Sequence, residues 1–458
     1  MAENRKKTAI GRRQFIAGAA ACGAIAAAKA AESAPAKRKN APAAATAPAA
    51  DPAQKKPLIA SAPVLQNAAE TSICVVFAVN ADASGWVECS ESPDMAHATR
   101  HYSGGGGMME VDATTACVRV QNLKPATRYW YRIGADRIDY AGGYNMKNLG
   151  SETDGEIHSF ATLGEKAEGA FCVINDTHEN KPTLDAVFKK LAEIKPAVVV
   201  WNGDATNVTE TAQQAVGAFL RPHPDHPRFA ADTPYMFVNG NHDFRGRFMR
   251  TPGRVAMYRD CEERKSEYSS LGRNFVQRLG DIAMIALDTG EDKLDTNPKF
   301  AGIFRMKEYR ELQTRWLAEA IETEAVKTAK FKVAFCHIPL YDNNPRTNPG
   351  DLAPADRAPG YFADYAYWQR TCYRMWNPLL AKAGVKLVVA AHLHRFRRYA
   401  PDADRPWIQL VGGGCDAACA AVGAGRPTVI EGRVEDGALL VRVHDAVDEK
   451  IVHEERIS

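Results

Sequence analysis

From Phe171 onward, short apolar runs end repeatedly in residues that bind metals or move protons. Phe171–Ile174 runs into Asn175-Asp176-Thr177-His178, Ala197–Trp201 into Asn202-Gly203-Asp204, and Tyr235–Val238 into Asn239-Gly240-Asn241-His242-Asp243. Further along, Phe331–Phe335 leads to Cys336-His337-Ile338-Pro339, and Lys386–Ala390 to Ala391-His392-Leu393-His394. Apolar runs this short, bounded by polar loops, read as buried strands. Between the first two lies a helical pattern with Pro182 in its first turn and Leu184, Val187, Phe188, Leu191 and Ile194 on one face, closed by Lys195-Pro196. That is a βαβ unit. Ligands of open α/β sheets bind beyond the carboxyl ends of the strands, so these loops are expected to converge on one crevice.

The crevice would gather Asp176, Asp204, Asn241, His178, His337, His392 and His394 as possible ligands, with His242 as one further histidine. Imidazole and carboxylate together suit iron, manganese or zinc, and no thiolate cluster points to a softer ion. A carboxylate such as Asp204 can bridge two cations at the roughly 3.5–4 Å spacing of two-metal hydrolysis. Each motif alone is weak: Asp-x-His is commonly a capped turn, and Gly-Asp commonly just a turn. Their occurrence in order, each after a strand, carries the assignment. The chain contains no Cys-x-x-Cys pair, so a structural zinc site is not expected. Its ten cysteines are scattered, and buried free thiols are the default reading for most of them.

The N-terminal region reads differently. Residues 1–56 hold eleven Lys/Arg and three Asp/Glu, which leaves the rest of the chain at −5 out of a formal total of +3. A mildly acidic body carries no nucleic-acid-binding signature. Within residues 1–30, Arg12-Arg13-Gln14-Phe15-Ile16 precedes an Ala/Gly-rich stretch and the small-x-small triplet Ala28-Lys29-Ala30, resembling a twin-arginine export signal. This implies a periplasmic or extracellular destination. The apolar run is too short and Ala-rich to span a membrane, so the mature chain is expected to have no transmembrane helix. Cys22 lies too near the arginines, with no Leu ahead of it, for a lipid anchor. Residues 31–56, rich in Ala, Pro and Lys, read as a disordered tether.

Residues 57–163 are all β in character. Ile73–Phe77 and Trp86–Cys89 flank the turn cluster Asn80–Gly85. Leu123-Lys124-Pro125, followed by alternating aromatics from Tyr129 to Ile133, has the pattern of a tyrosine corner in a β-sandwich. The segment resembles the fibronectin type III module that precedes the catalytic domain of purple acid phosphatases. Further strand candidates are Ile282–Leu287, Ile408–Val411, Thr428–Arg433 and Leu439–Val443. An amphipathic helix carries Tyr309, Leu312, Trp316, Leu317 and Ile321.

The ordered series Asp-x-His, Gly-Asp, Gly-Asn-His-Asp, His and His-x-His resembles the calcineurin-like metallophosphoesterase superfamily. The resemblance covers about Phe171 to Arg395, and the domain it implies spans 169–458. It implies an α+β chain: an all-β sandwich followed by an αββα sandwich with the metal site at the carboxyl ends of the strands. It further implies Asp176, His178 and His394 on a first metal, Asn241, His337 and His392 on a second, and Asp204 bridging them. The activity implied is hydrolysis of a small phosphate ester by a metal-bridging hydroxide, with His242 as general acid and Asp243 orienting it.

Two departures separate the chain from purple acid phosphatases, which have Gly where His178 stands and a metal-binding Tyr where Asn207 stands. The ferric, coloured site of that branch is therefore not expected. Ala391 replaces the usual Gly before the His pair, a small change. The segment Leu340–Trp376, with Asn343, Asn344, Arg346, Arg357, Tyr361, Phe362, Tyr365, Tyr367, Trp368 and Arg370, is the expected source of specificity. A phosphomonoesterase is the first reading and a phosphodiesterase or nucleotide hydrolase the second. A noncatalytic binding protein would have lost ligands, and every expected position is filled.

Overall fold

A computed structural model of the chain describes residues 56–221, 229–247, 255, 266–342, 361–415 and 426–458. The expected export segment and, apart from Lys56, the tether lie outside these residues.

Before the first ligand strand run β1 (Val64–Gln66), β2 (Ile73–Ala78), β3 (Ala83–Ser90), β4 (Thr99–Tyr102), the short β5 (Gly104–Gly105) and β6 (Met108–Met109), β7 (Thr115–Val120), β8 (Arg128–Tyr140), β9 (Met146–Thr153) and β10 (His158–Ala161). The C-terminal part follows with β11 (Phe171–Ile174), α1 (Lys181–Ile194), β12 (Val198–Asn202), α2 (Ala212–Leu220), β13 (Tyr235–Val238), β14 (Phe275–Leu279) and β15 (Ile282–Leu287). Then come α3 (Met306–Ala320), α4 (Glu324–Lys327), β16 (Phe331–Cys336), α5 (Tyr361–Ala383), β17 (Leu387–Ala390), β18 (Arg397–Tyr399), β19 (Ile408–Val411), β20 (Thr428–Glu435), β21 (Ala438–Asp445) and β22 (Lys450–Ile457).

The strands after Ala170 form two facing layers. In one, β11, β12 and β13 are parallel, and β20–β22 continue it antiparallel from β11. In the other, β15, β16, β17 and β19 are parallel, edged by β14 and β18. Val173, Val200 and Met236 of the first layer meet Met284, Val333, Phe335 and Val389 of the second in one buried cluster. The outer face of the first layer is covered by α1 and α2 through Leu184, Val187, Phe188, Leu191, Val216 and Phe219. Trp316 and Leu317 of α3, with Cys372, Trp376 and Leu380 of α5, cover the second. This is the expected αββα order.

Local chemistry explains the connections. Asn180 caps α1 by accepting from the Thr183 N–H, and Lys195 closes the helix in a left-handed conformation just before Pro196. Thr211 and Gln214 form a reciprocal capping box at the start of α2. At the expected tyrosine corner, the Lys124 N–H donates to Tyr129 Oη at 2.8 Å.

Two expectations need correction. The stretch Asn80–Gly85 is only partly a turn, because β3 already begins at Ala83 and pairs Ala83–Gly85 with Arg137–Ala135. More consequentially, position 163 is no boundary between sheets. One layer of the N-terminal region, β1-β2-β7, continues the β11–β13 sheet: β1 pairs parallel to β13 through Gln66 and Tyr235, giving nine strands in series. The core is continuous as well, with Phe77, Val87, Tyr131 and Phe160 in the same buried cluster as Val200 and Phe335.

Candidate metal centre

The parallel strands of both layers deliver their carboxyl ends to one place. Asp176 and His178 follow β11, Asp204 follows β12 and Asn241 follows β13, all from the first layer. His337 follows β16, and His392 and His394 follow β17, from the second. The layers are tied at this edge by Asn202, whose Nδ2 donates to the carbonyls of Cys336 at 2.9 Å and Val389 at 3.2 Å.

The backbone there is unusual. Asp176, His178, Asp204, His392 and His394 all have φ between +47° and +69°. Non-glycine residues occupy that region at a cost of about 1 kcal/mol or more each, and such residues cluster at functional sites. Here the conformation turns each side chain sharply off its strand and into the crevice. Two glycines make room. A Cβ on Gly240 would lie 2.1 Å from Asp204 Oδ1, and one on Gly203 (φ +89°) would lie 2.2 Å from His337 Nδ1.

The side chains fall into two adjoining groups that share Asp204. Asp176, His178, Asp204 and His394 form one, and Asp204, His337 and His392 the other, with ligand atoms within 4.8 Å of one another in each. Asn241 Oδ1 lies 3.0 Å from His392 Nδ1 and so joins the second group. Asp204 Oδ2 sits 3.5 Å from His178 Nε2 and 3.3 Å from His337 Nε2. His394 Nε2 is 3.4 Å from Asp176 Oδ1 and 3.3 Å from His178 Nε2.

These residues fit a metal site by a direct criterion. Asp176 Oδ1 and His337 Nε2 are buried and make no hydrogen bond. Buried polar atoms almost always have a partner, and an exception calls for an ion or a function. The outer nitrogens are already spoken for. His337 Nδ1–H donates to the Asn202 carbonyl at 2.9 Å, and His394 Nδ1 faces the Cys415 carbonyl at 3.4 Å. Each contact places the hydrogen on Nδ1 and leaves the Nε2 lone pair for a cation. Burial opposes charge on His337 and His394, yet Asp204 and Asp176 outweigh it and raise them to about 10 and about 9. Cation binding displaces protons held in this way.

His178 is fixed by a residue whose role was not legible in the sequence. Its Nδ1–H donates to Asn207 Oδ1 at 3.0 Å, while Asn207 Nδ2 donates back to the His178 carbonyl at 3.0 Å. The two departures from purple acid phosphatases are thus one feature. The residue in the tyrosine position orients the histidine in the glycine position.

His242 and Asp243 are placed differently from expectation. The Asp243 carboxylate accepts from the N–H groups of Asp204 (3.0 Å), Gly240 (2.9 Å) and Thr206 (3.2 Å) and from Thr206 Oγ1 (3.2 Å). None of its hydrogen bonds reaches His242, so it braces the metal loops instead of orienting an imidazole. His242 Nδ1–H donates to the Asn207 carbonyl at 3.1 Å, and its Nε2 accepts from Arg245 Nη1 at 2.9 Å. Burial, with Arg245 and His178 adding to it against Asp204, pushes His242 down to about 4. In this geometry it is a neutral acceptor.

The loop after β15 is a further contributor, passed over because it holds no histidine. Glu291 and Asp292 are fully buried there, and Asp292 Oδ2 lies 3.9 Å from His392 Nε2. A strand ending in Asp288-Thr289-Gly290-Glu291-Asp292 was the signal available. Of the expected specificity segment, residues 343–360 lie outside the described residues, as do the side chains of Tyr361 and Phe362. Tyr365 stacks on His392 at 5.3 Å. Trp368 instead supports the β15 loop, donating to the Lys293 carbonyl at 2.7 Å, and Tyr367 packs beside it. Arg370 is buried. The described cysteines are all free.

Fold and site together define a metal-dependent phosphoesterase. Residues 170–396 match the calcineurin-like phosphoesterase family, and the catalytic domain of this chain belongs to it. The structure is similar to a purple acid phosphatase from yellow lupin (Lupinus luteus) seeds, with a TM-score of 0.58 and 14% identity over 86% of this chain and 74% of that one. It is also similar to PhoD, with a TM-score of 0.55 and 12% identity over 87% of this chain and 91% of that one. At such identities the likeness concerns the fold. No curated protein matches the sequence. Among the described residues no helix is long and apolar enough to cross a membrane.

Proposed function

We propose that the chain is an exported, dinuclear phosphomonoesterase. The observation that carries the two-metal reading is the pair of adjoining ligand groups sharing Asp204, with Asp176 Oδ1 and His337 Nε2 buried and without hydrogen bonds. Asp176, His178 and His394 would hold one cation, Asn241, His337 and His392 the other, with Asp204 between them. Iron, manganese or zinc suits the donor set. Such cations supply a hydroxide nucleophile at neutral pH and a counter-charge for the phosphoryl group.

The protein's own contribution is positional. Asn202, Asn207 and the Cys415 carbonyl hold the imidazoles of His337, His178 and His394 in the ligating tautomer, and Asp243 braces the loops bearing Asp204 and Asn241. His242 faces the substrate side. With its hydrogen on Nδ1 and Nε2 accepting from Arg245, His242 could act as general acid only after Nε2 takes up a proton in place of that contact. Export by the twin-arginine route rests on the residue order within 1–30.

The test is Asp204→Ala. Both ligand groups lose their shared anion, so metal content should fall from about two cations per chain and hydrolysis of p-nitrophenyl phosphate should be abolished. Full activity at undiminished metal content would refute the assignment.

A further inference from the structure

Beside the ligand cluster stands an arginine built into place by buried acids. Arg245 follows the Gly240–Asp243 loop, and its guanidinium is held along one edge only. Nε and Nη2 donate to the two carboxylate oxygens of Glu291 at 3.2 and 3.0 Å, and Nη2 lies 3.5 Å from Asp292 Oδ1. Among the described residues the remaining nitrogen, Nη1, hydrogen-bonds only His242, whose ring lies edge-on to His178 at 4.8 Å between centroids. Nη1 carries two N–H groups and His242 Nε2 accepts one, so the other has no partner among the described residues.

The holder is itself anchored. Arg310 is fully buried, stacks on Trp368 at 3.8 Å, and donates through Nη2 to the backbone carbonyls of Thr289 and Glu291. Lys293 Nζ balances Asp292 at 2.5 Å and Glu291 at 3.3 Å. Burying a carboxylate as fully as Glu291 is costly unless it is paired. Here the pairing fixes a guanidinium that is still partly exposed at the mouth of the site, its side chain 21% accessible.

We propose that Arg245 binds a non-bridging phosphoryl oxygen of the substrate, and that this contact selects phosphomonoesters over diesters. The inference rests on the dinuclear reading above. A phosphomonoester has three non-bridging oxygens and a diester two. With two such oxygens directed at two cations, only the monoester, or inorganic phosphate, keeps a third for the guanidinium. Arginine suits this position because its planar fork can hold Glu291 with one edge and an oxyanion with the other.

The experiment uses the metal-loaded full chain and reads inorganic phosphate affinity by calorimetry, beside kcat/KM for p-nitrophenyl phosphate and bis-p-nitrophenyl phosphate. A charge-assisted hydrogen bond of this kind corresponds to a loss of roughly tenfold to a hundredfold. Arg245→Gln should therefore bind phosphate that much more weakly, keep its metal content, and lose monoester preference by a similar factor. Glu291→Gln, with the arginine present but loosely held, should weaken phosphate binding less. If Arg245→Gln does not fold because Glu291 is left unpaired, the double variant Arg245→Gln/Glu291→Gln removes the stranded charge and carries the same expectation. A folded, metal-loaded variant binding phosphate within about twofold of wild type would overturn the proposal, as would a wild type that prefers the diester. A wild type that holds no metal, or hydrolyses no phosphate ester, would instead refute the dinuclear reading.

Discussion

Asn207→Leu isolates what orientation of one imidazole contributes to the metal site. The substitution keeps the size of the side chain and removes both of its hydrogen bonds to His178, each 3.0 Å long. Asn207 is exposed, so the effect on folding should be small, at most about 1 kcal/mol. Metal affinity is where the loss should appear. Without the Oδ1 acceptor, His178 is free to rotate and to carry its hydrogen on Nε2, which removes the lone pair from the cluster. Loss of such an orienting partner typically weakens metal binding 10–100-fold, or about 1.4–2.7 kcal/mol. On the proposed two-cation reading, only the cation held by Asp176, His178, Asp204 and His394 should be affected, because none of the described hydrogen bonds of Asn207 reaches His337 or His392. Competition with a chelator, followed by metal counting, should show one weakened site and one near wild type. Asn207→Asp, which keeps an oxygen acceptor, should retain the first cation. Wild-type affinity at both sites in Asn207→Leu would refute the argument, and so would equal loss in the Leu and Asp variants.

Two further outcomes follow from the same geometry. Reconstituted with iron, the protein should show no tyrosinate-to-iron absorption band: Asn207 occupies the tyrosine position, and Tyr365 presents its ring face to His392 while its hydroxyl accepts from Gln369. A strong visible band of that origin would contradict the site. A chain beginning at Glu165 should be aggregation-prone and unfold at markedly lower temperature, judged by size exclusion and thermal denaturation. Its removal of β1 uncovers the β13 edge, where the Asn67 N–H donates to the Tyr235 carbonyl at 2.9 Å, and it also removes the Tyr131 hydroxyl bond to the Ala231 carbonyl. A stable, monomeric, metal-binding product would show the N-terminal layers to be dispensable.

The strand–loop grammar after Phe171, and through it the residues that line the crevice, was legible from local residue order alone. Parallel strands present their carboxyl ends together, so Asp176, His178, Asp204, Asn241, His337, His392 and His394 could be grouped without a structure. The helix α1 was equally legible, since Asn180, Pro182 and Lys195-Pro196 act within a few residues of where they stand. Contacts made across long separations emerged only on folding. Asn207 meets His178 because two loops from different strands fold onto each other. Arg245 meets Glu291 because β13 and β15 belong to different layers that open on the same edge. The pairing of β1 with β13 depends on which free sheet edge the N-terminal strands find, and alternating apolar residues specify a buried face without naming the neighbouring strand. For the same reason Asp243, adjacent to His242 in the chain, turned out to brace Asp204: neighbours in sequence at a tight turn point to different sides, and hydrogen-bond partners are set by direction in space.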